Sequence, residues 1–204
     1  MDYNNVERIF NMNLFNEAEF LYICKKLKTD AQMKDVTIRY SAPGYFNRIK
    51  NMIQRDRRGE VVFCVIRPTG KVITVTSADY PEDIYRIPTG GISHGEDILE
   101  AVFREVREEL GLEVEIRAFA GVIRTRFEYE EEHVMFYSYV FIMDEIGGRL
   151  LEDASDDEVS GIREVDLDGL GQTARSLYEL RGKWQDWGKF RYITTNAVLQ
   201  WLDG

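Results

Sequence analysis

The segment GGISHGEDILEAVFREVREELGL, residues 90–112, decides how the rest of this 204-residue chain is interpreted. Apolar residues recur at every fourth position of it, which is the spacing of a buried stripe on one helix: Ile98, Val102, Val106 and Leu110. Asp97 stands where a helix N-cap is expected, and Gly111 where a helix ends in the left-handed conformation. The segment therefore predicts one amphipathic helix behind a glycine-rich approach.

Three carboxylates crowd the second half of this helix, at Glu105, Glu108 and Glu109. Like charges at helical spacing repel one another by a few tenths of a kcal/mol, and Glu109 falls on the edge of the apolar stripe. A divalent cation such as Mg²⁺ prefers carboxylate oxygens and would remove the repulsion. The alternative is a solvated acidic face, held by ion pairs of Arg104 with Glu100 and Glu108.

The composition restricts the classes of partner. The formal net charge of −10 is opposite to the positive footprint that nucleic-acid backbone requires, so we expect no nucleic-acid partner. The apolar runs are too short for a membrane span, and we expect no membrane partner. Two cysteines outside any CxxC pattern and two histidines argue against a zinc site. A cytoplasmic location is the default expectation.

The pattern of the chain predicts two regions, a helical extension at residues 1–38 and a main domain at residues 39–204 that ends in a helix. Short helices are expected in YFNRIKNMIQRD after Pro43 and in the terminal GKFRYITTNAVLQWL. Strand-rich runs flank Pro68–Gly70, which is a hairpin signal. DIYRIPTGG predicts a strand that ends at Pro88 and the glycine pair.

A longer hairpin is expected in the β-branched and aromatic stretch after residue 112, with its turn in the acidic run Glu128–Glu132. Another short strand is expected around Ile162–Val165. Strands, one helix, more strands and a terminal helix indicate an α/β fold with helices packed on a mixed sheet.

The spacing Gly90, Glu96, then REVREELGL from Arg104 to Leu112 resembles a complete Nudix box. The resemblance is specific over residues 86–112 and extends more loosely over about residues 40–170. It implies a Nudix-type α/β/α sandwich, with the box forming a loop, a helix and a second loop, and we assign this domain to residues 39–204. It implies a hydrolase that requires Mg²⁺ or Mn²⁺ and cleaves the pyrophosphate bond of a small nucleotide-type substrate, a nucleoside diphosphate linked to another moiety.

The resemblance also assigns roles to individual residues. The metal ligands would be carboxylates of the box: Glu96, Glu105, Glu108 and Glu109. Arg104 would orient them through ion pairs, and Glu108 also counts among the catalytic residues. The substrate would contact the strand and glycines before the helix, at Arg86, Gly90 and Gly91.

A general base is expected outside the box, in one of two acidic stretches. One is the hairpin turn with Glu128, Glu130, Glu131 and Glu132. The other is the loop with Asp156, Asp157 and Glu158. We favour Glu158, because it precedes the strand GIREVDL, which resembles a late strand of the family.

The substrate subclass stays open at this stage. ADP-ribose hydrolases of the family often carry a proline after the box, and this chain has none after Pro88. Dinucleoside polyphosphate hydrolases often carry a tyrosine where Tyr129 stands, so Tyr129 is a candidate substrate contact. A nucleotide-sensing module of the same fold, without hydrolysis, is the alternative function. Residues 1–38 are also a candidate arm for a homodimer, with Phe10, Leu14, Phe15 and Phe20 as apolar contacts.

Overall fold

A computed structural model describes residues 15–155 and 158–204, and a seven-stranded mixed sheet forms their centre. The helices are α1 (Glu17–Leu27), α2 (Pro43–Arg55), α3 (Ile98–Glu105), α4 (Leu167–Tyr178) and α5 (Gln185–Asp203). The strands are β1 (Gln32–Arg39), β2 (Arg57–Ile66), β3 (Val72–Thr76), β4 (Thr89–Ser93), β5 (Leu112–Tyr129), β6 (Glu132–Gly148) and β7 (Gly161–Val165).

The sheet has the order β1-β5-β6-β2-β3-β7, and β4 pairs with the first half of β2. Alternate side chains of β2 enter two different cores. Val61 and Phe63 pack with the stripe of α3, whereas Val62 and Cys64 pack with α4 and α5. Helices therefore cover both faces, and the predicted α/β/α sandwich with a mixed sheet is confirmed.

The structure confirms both predicted hairpins. Strands β2 and β3 turn at residues 67–71, and β5 and β6 turn at residues 130–131 inside the acidic run. The strand expected near Ile162 is β7, and the terminal helix is α5. Within the described residues, none of the helices has the length and hydropathy needed to cross a bilayer.

The expectation that residues 1–38 are helical is wrong for its last part. Gln32–Arg39 form β1, which runs parallel to β5 from Gly121 to Glu128. The segment QMKDVTIR carries β-branched residues and lacks a helical stripe, so it suits an edge strand. Residues 1–14 lie outside the described residues, and the boundary at residue 38 stays a prediction.

Two aromatic residues of the proposed dimer arm pack on the sheet of their own chain. The ring of Phe15 stacks on Tyr137 at 5.3 Å, and the ring of Phe20 meets the edge of Phe119 at 5.9 Å. Phe10 and Leu14 lie outside the described residues, so the arm itself stays a prediction.

The strand expected in DIYRIPTGG is displaced along the chain. Only Arg86 forms an isolated bridge, with Val75, and the regular strand β4 begins at Thr89 and runs through both glycines. Pro88 has no N–H to donate, so it suits a break before the strand better than its interior.

Helix α4 has no counterpart among the sequence predictions. Gly169 and Gly171 lower the helix propensity of this segment. Its position is set by the Asp166 N-cap, whose carboxylate accepts a hydrogen bond from the Gly169 N–H at 2.8 Å, and by the burial of Leu170 and Leu177 against the sheet.

Candidate active site

The box helix has the ends that its sequence predicts. The Asp97 carboxylate accepts hydrogen bonds from the N–H groups of Leu99 and Glu100, at 2.8 and 3.1 Å. Gly111 closes the helix with φ 69°. The predicted stripe of Ile98, Val102, Val106 and Leu110 is fully buried. Because the stripe packs into the core, the orientation of the helix is set, and Glu105, Glu108 and Glu109 project beside the stripe.

The second half of the box is not an ordinary α-helix. Val106–Leu110 form a π-helical turn directly after α3. Such turns are rare and often occur at functional sites. In this turn Glu109 is only 2% exposed, although it is a carboxylate, whereas the side chain of Glu108 is 40% exposed.

Arg104 joins three carboxylates of the box. Its guanidinium donates to Glu96 at 2.7 and 3.0 Å, to Glu105 at 2.8 Å and to Glu108 at 2.9 Å. It also donates to the carbonyl oxygen of Gly91 at 2.9 Å. The predicted pair with Glu108 is therefore present, and Glu96 takes the place that we expected for Glu100.

The Glu96 carboxylate fixes the loop in front of the helix. It accepts the N–H of Ser93 at 2.9 Å in addition to the two bonds from Arg104. Although burial acts against the charged form, the bonds from Arg104 and Ser93 hold the pKa of Glu96 below its ordinary value.

The glycine pair makes room for two charged side chains. A Cβ at Gly90 would lie closer than 3.0 Å to the Glu105 carboxyl group, and a Cβ at Gly91 closer than 3.0 Å to the Arg57 guanidinium. Any larger residue would displace them. The glycines therefore shape the pocket. That Gly90 and Gly91 contact the substrate stays a prediction.

The loop after β6 is bonded to the end of the box. The N–H of Leu151 donates to the carbonyl of Leu110 at 2.9 Å, and the N–H of Ser155 donates to the carbonyl of Glu108 at 3.0 Å. These bonds bring the loop, and Glu158 with it, to the glutamates. Asp156 and Asp157, the other candidate bases of this loop, lie outside the described residues.

One cavity of about 320 Å³ unites these elements. Four glutamates line it: Glu105, Glu108, Glu109 and Glu158. Thr89, Gly90 and Gly91 form part of its wall. The structure thus brings together the carboxylates that the sequence placed in two separate segments.

Burial raises the pKa of the Glu105 carboxyl group, although the hydrogen bond from Arg104 opposes this shift. The same cluster raises the pKa of Arg104, mainly through its bond to Glu96. Arg104 therefore remains a cation beside the cavity.

Two predicted substrate contacts, Arg86 and Tyr129, do not line the cavity. Arg86 is buried and donates to the Tyr80 hydroxyl at 2.9 Å and to the Thr89 hydroxyl at 3.1 Å. It therefore braces the strand that carries the glycines. Tyr129 lies at the end of β5, with its ring 6.0 Å from Phe46.

The alternative candidate bases lie in the hairpin turn beside Tyr129, and none of them lines the cavity. Glu128 forms ion pairs with Arg39 and Arg126, at 2.9 and 2.6 Å, and Glu132 pairs with Lys50. Glu130 and Glu131 occupy the turn between the two strands. Of the candidate bases in the described residues, Glu158 is the one that lines the cavity.

The sequence analysis missed two charged lining residues, Asp56 and Arg57. They lie where α2 ends and β2 begins, and only the pairing of β2 with β4 brings Arg57 opposite Ser93. Within the described residues Arg57 forms no ion pair. A cation among four glutamates is a candidate contact for a phosphate group.

The donor set fits a hard divalent cation, because carboxylate oxygens are the ligands that Mg²⁺ and Mn²⁺ prefer. The absence of a side chain at Gly90 leaves the space beside Glu105 open. Within residues 15–155 and 158–204, no three His, Cys, Asp or Glu side chains already have the spacing of a metal site. Arg104 holds one oxygen of both Glu105 and Glu108.

Comparison with protein families identifies a NUDIX domain over residues 56–187. The chain belongs to the NUDIX family. The matched NUDIX region contains the whole box and Glu158. Helix α1, β1 and most of α2 precede it.

Two curated NUDIX relatives are similar over part of their length. The ADP-ribose pyrophosphatase of Methanocaldococcus jannaschii is 31% identical over 111 residues, which is 54% of this chain and 63% of that protein. Nudix hydrolase 26, chloroplastic, of Arabidopsis thaliana is 29% identical over 100 residues, or 48% and 40% of the two chains. The alignments span less than two thirds of these relatives.

Among the solved structures to which the chain is similar is an ADP-ribose pyrophosphatase from Streptococcus suis. It is 15% identical, with a TM-score of 0.43, and the alignment covers 71% of this chain and 91% of that chain.

Proposed function

We propose that this NUDIX protein is a divalent-metal-dependent hydrolase that cleaves the pyrophosphate bond of a nucleoside diphosphate linked to another moiety. The observation that carries the proposal is the single cavity lined by Glu105, Glu108, Glu109 and Glu158. Four carboxylates within about 320 Å³ repel one another, and Arg104 offsets part of that repulsion through its bonds to Glu105 and Glu108. A divalent cation would offset the rest. The names of the curated relatives support the same class of reaction.

The metal would be held by Glu105, Glu108 and Glu109, with Glu96 bracing the loop beside them. A bound Mg²⁺ or Mn²⁺ supplies Lewis-acid stabilisation of phosphate charge and lowers the pKa of the attacking water. Arg104 keeps Glu105 and Glu108 oriented before the cation binds, because its Nη1 donates to one oxygen of each.

The protein residues also bind the phosphate and take up the proton. Arg57 lines the cavity, so its guanidinium can donate to a non-bridging phosphate oxygen. A water oxygen attacks one phosphorus atom, and the bond from that phosphorus to the bridging oxygen breaks. Glu158 accepts the water proton at a carboxylate oxygen. The products are two phosphate-terminated fragments.

The first test is hydrolysis by the full chain across a panel of ADP-ribose, NADH, dinucleoside polyphosphates, nucleoside triphosphates and nucleotide sugars. Each compound is incubated with Mg²⁺, with Mn²⁺ and with excess EDTA. The proposal expects cleavage of at least one compound with a metal and loss of that activity in EDTA.

The sensing module without hydrolysis remains the second candidate function. The intact set of box glutamates argues against it, because binding alone does not require an activated water. The sensing function would be favoured over hydrolysis if no compound of the panel is cleaved while a nucleotide raises the melting temperature of the protein.

A further inference from the structure

The loop between β4 and α3 is joined to the end of α2 by one side chain. The Nε2 atom of His94 lies 3.1 Å from the carbonyl oxygen of Ile53. Ile53 is in the last turn of α2, where carbonyl groups lack an N–H partner within the helix. A carbonyl oxygen can only accept a hydrogen bond, so Nε2 carries the hydrogen and donates it. We call this contact the His94–Ile53 bond.

The chain that follows Ile53 leads directly to the catalytic cavity. Helix α2 ends two residues after Ile53, and the next two residues, Asp56 and Arg57, line the cavity. Arg57 begins β2 and pairs with Ser93, the residue before His94. The His94–Ile53 bond and this strand pair therefore hold the junction of α2 and β2 at two points, both beside the box loop.

A β-bulge separates Arg57 from the regular part of β2. The pairing of β2 with β4 shifts register between Arg57 and Gly59, so β2 has an extra residue at this point. Bulges often occur beside active sites, where they re-aim a side chain. Arg58, inside the bulge, forms a nearly buried ion pair with Glu19 of α1 at 2.7 Å. Of the two adjacent arginines, only Arg57 lines the cavity.

The Arg57 side chain lies directly on Gly91 of β4. A Cβ at Gly91 would come closer than 3.0 Å to three atoms of Arg57, including two of its guanidinium group. Burial raises the pKa of Glu105, and the charge of Arg57 is one of the effects that oppose this rise, so the two side chains interact electrostatically. Arg57 therefore reaches the carboxylates by way of Gly91, and its direction depends on where β2 begins.

We propose that His94 is a positioning residue for Arg57. The His94–Ile53 bond fixes the end of α2, and with it the start of β2, so that the Arg57 guanidinium is held at the cavity before a diphosphate binds. A group held in its bound position loses less conformational entropy on binding than a mobile one, so the bond should strengthen diphosphate binding. This inference rests on the proposed function, which assigns Arg57 to a phosphate oxygen.

The test measures the affinity of ADP in the presence of Mg²⁺ by calorimetry, because ADP carries the nucleoside diphosphate part of the proposed substrates. The proteins are wild type, His94→Ala, His94→Gln, Arg57→Ala and the double variant His94→Ala/Arg57→Ala. Glutamine offers an amide N–H in place of the ring N–H, so His94→Gln can keep the bond to Ile53. His133→Ala is the matched control, because the other histidine of the chain lies at the start of β6 and does not line the cavity.

We expect Arg57→Ala to weaken ADP binding by about tenfold, which is the loss of one charge-assisted contact. His94→Ala should weaken it by about three- to fivefold, because Arg57 is still present but is no longer held in position. His94→Gln and His133→Ala should bind ADP like wild type. In the double variant the loss of His94 should add nothing to the loss of Arg57, because the effect of His94 passes through Arg57.

Three results would overturn the proposal. The first is unchanged ADP affinity in His94→Ala, or no ADP binding to wild type. The second is an equal loss in His94→Gln and His94→Ala, which would show that the N–H donor is not what matters. The third is a full effect of His94→Ala in the Arg57→Ala background, which would mean that His94 contacts the ligand itself.

Hydrolysis of the substrate panel is measured separately, so the two proposals fail in different ways. If ADP binds with the expected order of affinities and no panel compound is cleaved, the proposed hydrolysis fails while the role of His94 is supported. If panel compounds are cleaved and His94→Ala binds ADP like wild type, the hydrolysis is supported and the role of His94 is overturned.

Discussion

Gly90 packs directly against Glu105, whose carboxyl group occupies the space that a Cβ at position 90 would need. The contact joins β4 to α3 and places the glycine of the approach beside the first glutamate of the crowded set. Gly90 is therefore part of the geometry of the site as well as of the strand.

Gly90→Ala should displace the Glu105 side chain. The overlap would cost about 1–3 kcal/mol of stability, as overpacking in a filled site does, and it should lower kcat/KM by moving a proposed metal ligand. Urea unfolding and steady-state kinetics measure the two effects.

Gly44→Ala is the matched control for this substitution. A Cβ at Gly44 meets no atom within 4 Å and Gly44 lies in α2, so the change should be neutral or stabilise the protein by up to about 1 kcal/mol. Equal activity of Gly90→Ala and Gly44→Ala would contradict the role assigned to Gly90.

Arg104→Lys tests whether Arg104 contributes to activity by orienting the glutamates or only by its positive charge. Lysine keeps the charge but cannot reproduce bonds to Glu96, Glu105 and Glu108 at once. We expect kcat to fall by at least about tenfold and half-maximal activity to require more Mg²⁺, because the carboxylates are no longer preorganised.

The control for Arg104→Lys is Arg175→Lys, on the exposed face of α4. Metal titrations of both variants against wild type provide the measurement. An unchanged Mg²⁺ requirement in Arg104→Lys would show that its hydrogen bonds serve stability alone.

Glu19→Gln should loosen α1 from the box. The substitution removes the negative charge next to Arg58 but keeps an oxygen for the N–H of Ile98. Because both partners are nearly buried, we expect a loss of about 1–3 kcal/mol in the free energy of unfolding, measured with urea.

Glu17→Gln changes an exposed glutamate two residues away and should shift the unfolding free energy by less than about 0.5 kcal/mol. Equal effects of Glu17→Gln and Glu19→Gln would mean that the Glu19–Arg58 pair does not fasten the helix.

Glu158→Gln should lower kcat while the Mg²⁺ requirement stays close to that of wild type, because Glu158 is assigned a proton-accepting role and not a metal-binding one. A loss of about 10²-fold is typical for a general base. Glu128→Gln, at the alternative hairpin position, is the comparison. A larger loss of kcat in Glu128→Gln would move the base to the hairpin.

The sequence predicted the centre of this molecule well, because the features of the box are local. The stripe from Ile98 to Leu110, the Asp97 cap and the left-handed Gly111 each depend on neighbouring residues. The burial of Glu109 could also be anticipated, because its position on the edge of that stripe follows from helical spacing.

Features that depend on distant pairing could not be predicted in the same way. The Gln32–Arg39 strand is stabilised by its partner β5, and Arg57 reaches the cavity because β2 pairs with β4. The bonds that bring Glu158 to the glutamates come from backbone groups of the loop before it. The π-helical turn at Val106–Leu110 has no sequence signature that we recognised.

The most direct test of the central claim is kcat/KM of Glu109→Gln with saturating Mg²⁺, on whichever panel compound wild type cleaves best. Glu109 is nearly buried in the cavity wall, and Glu115→Gln on the exposed edge of β5 is the control. We predict a loss of at least about 10²-fold for Glu109→Gln, or roughly 2.7 kcal/mol of transition-state stabilisation, and none for Glu115→Gln. Wild-type activity in a folded Glu109→Gln protein would contradict a metal-dependent site built on these glutamates.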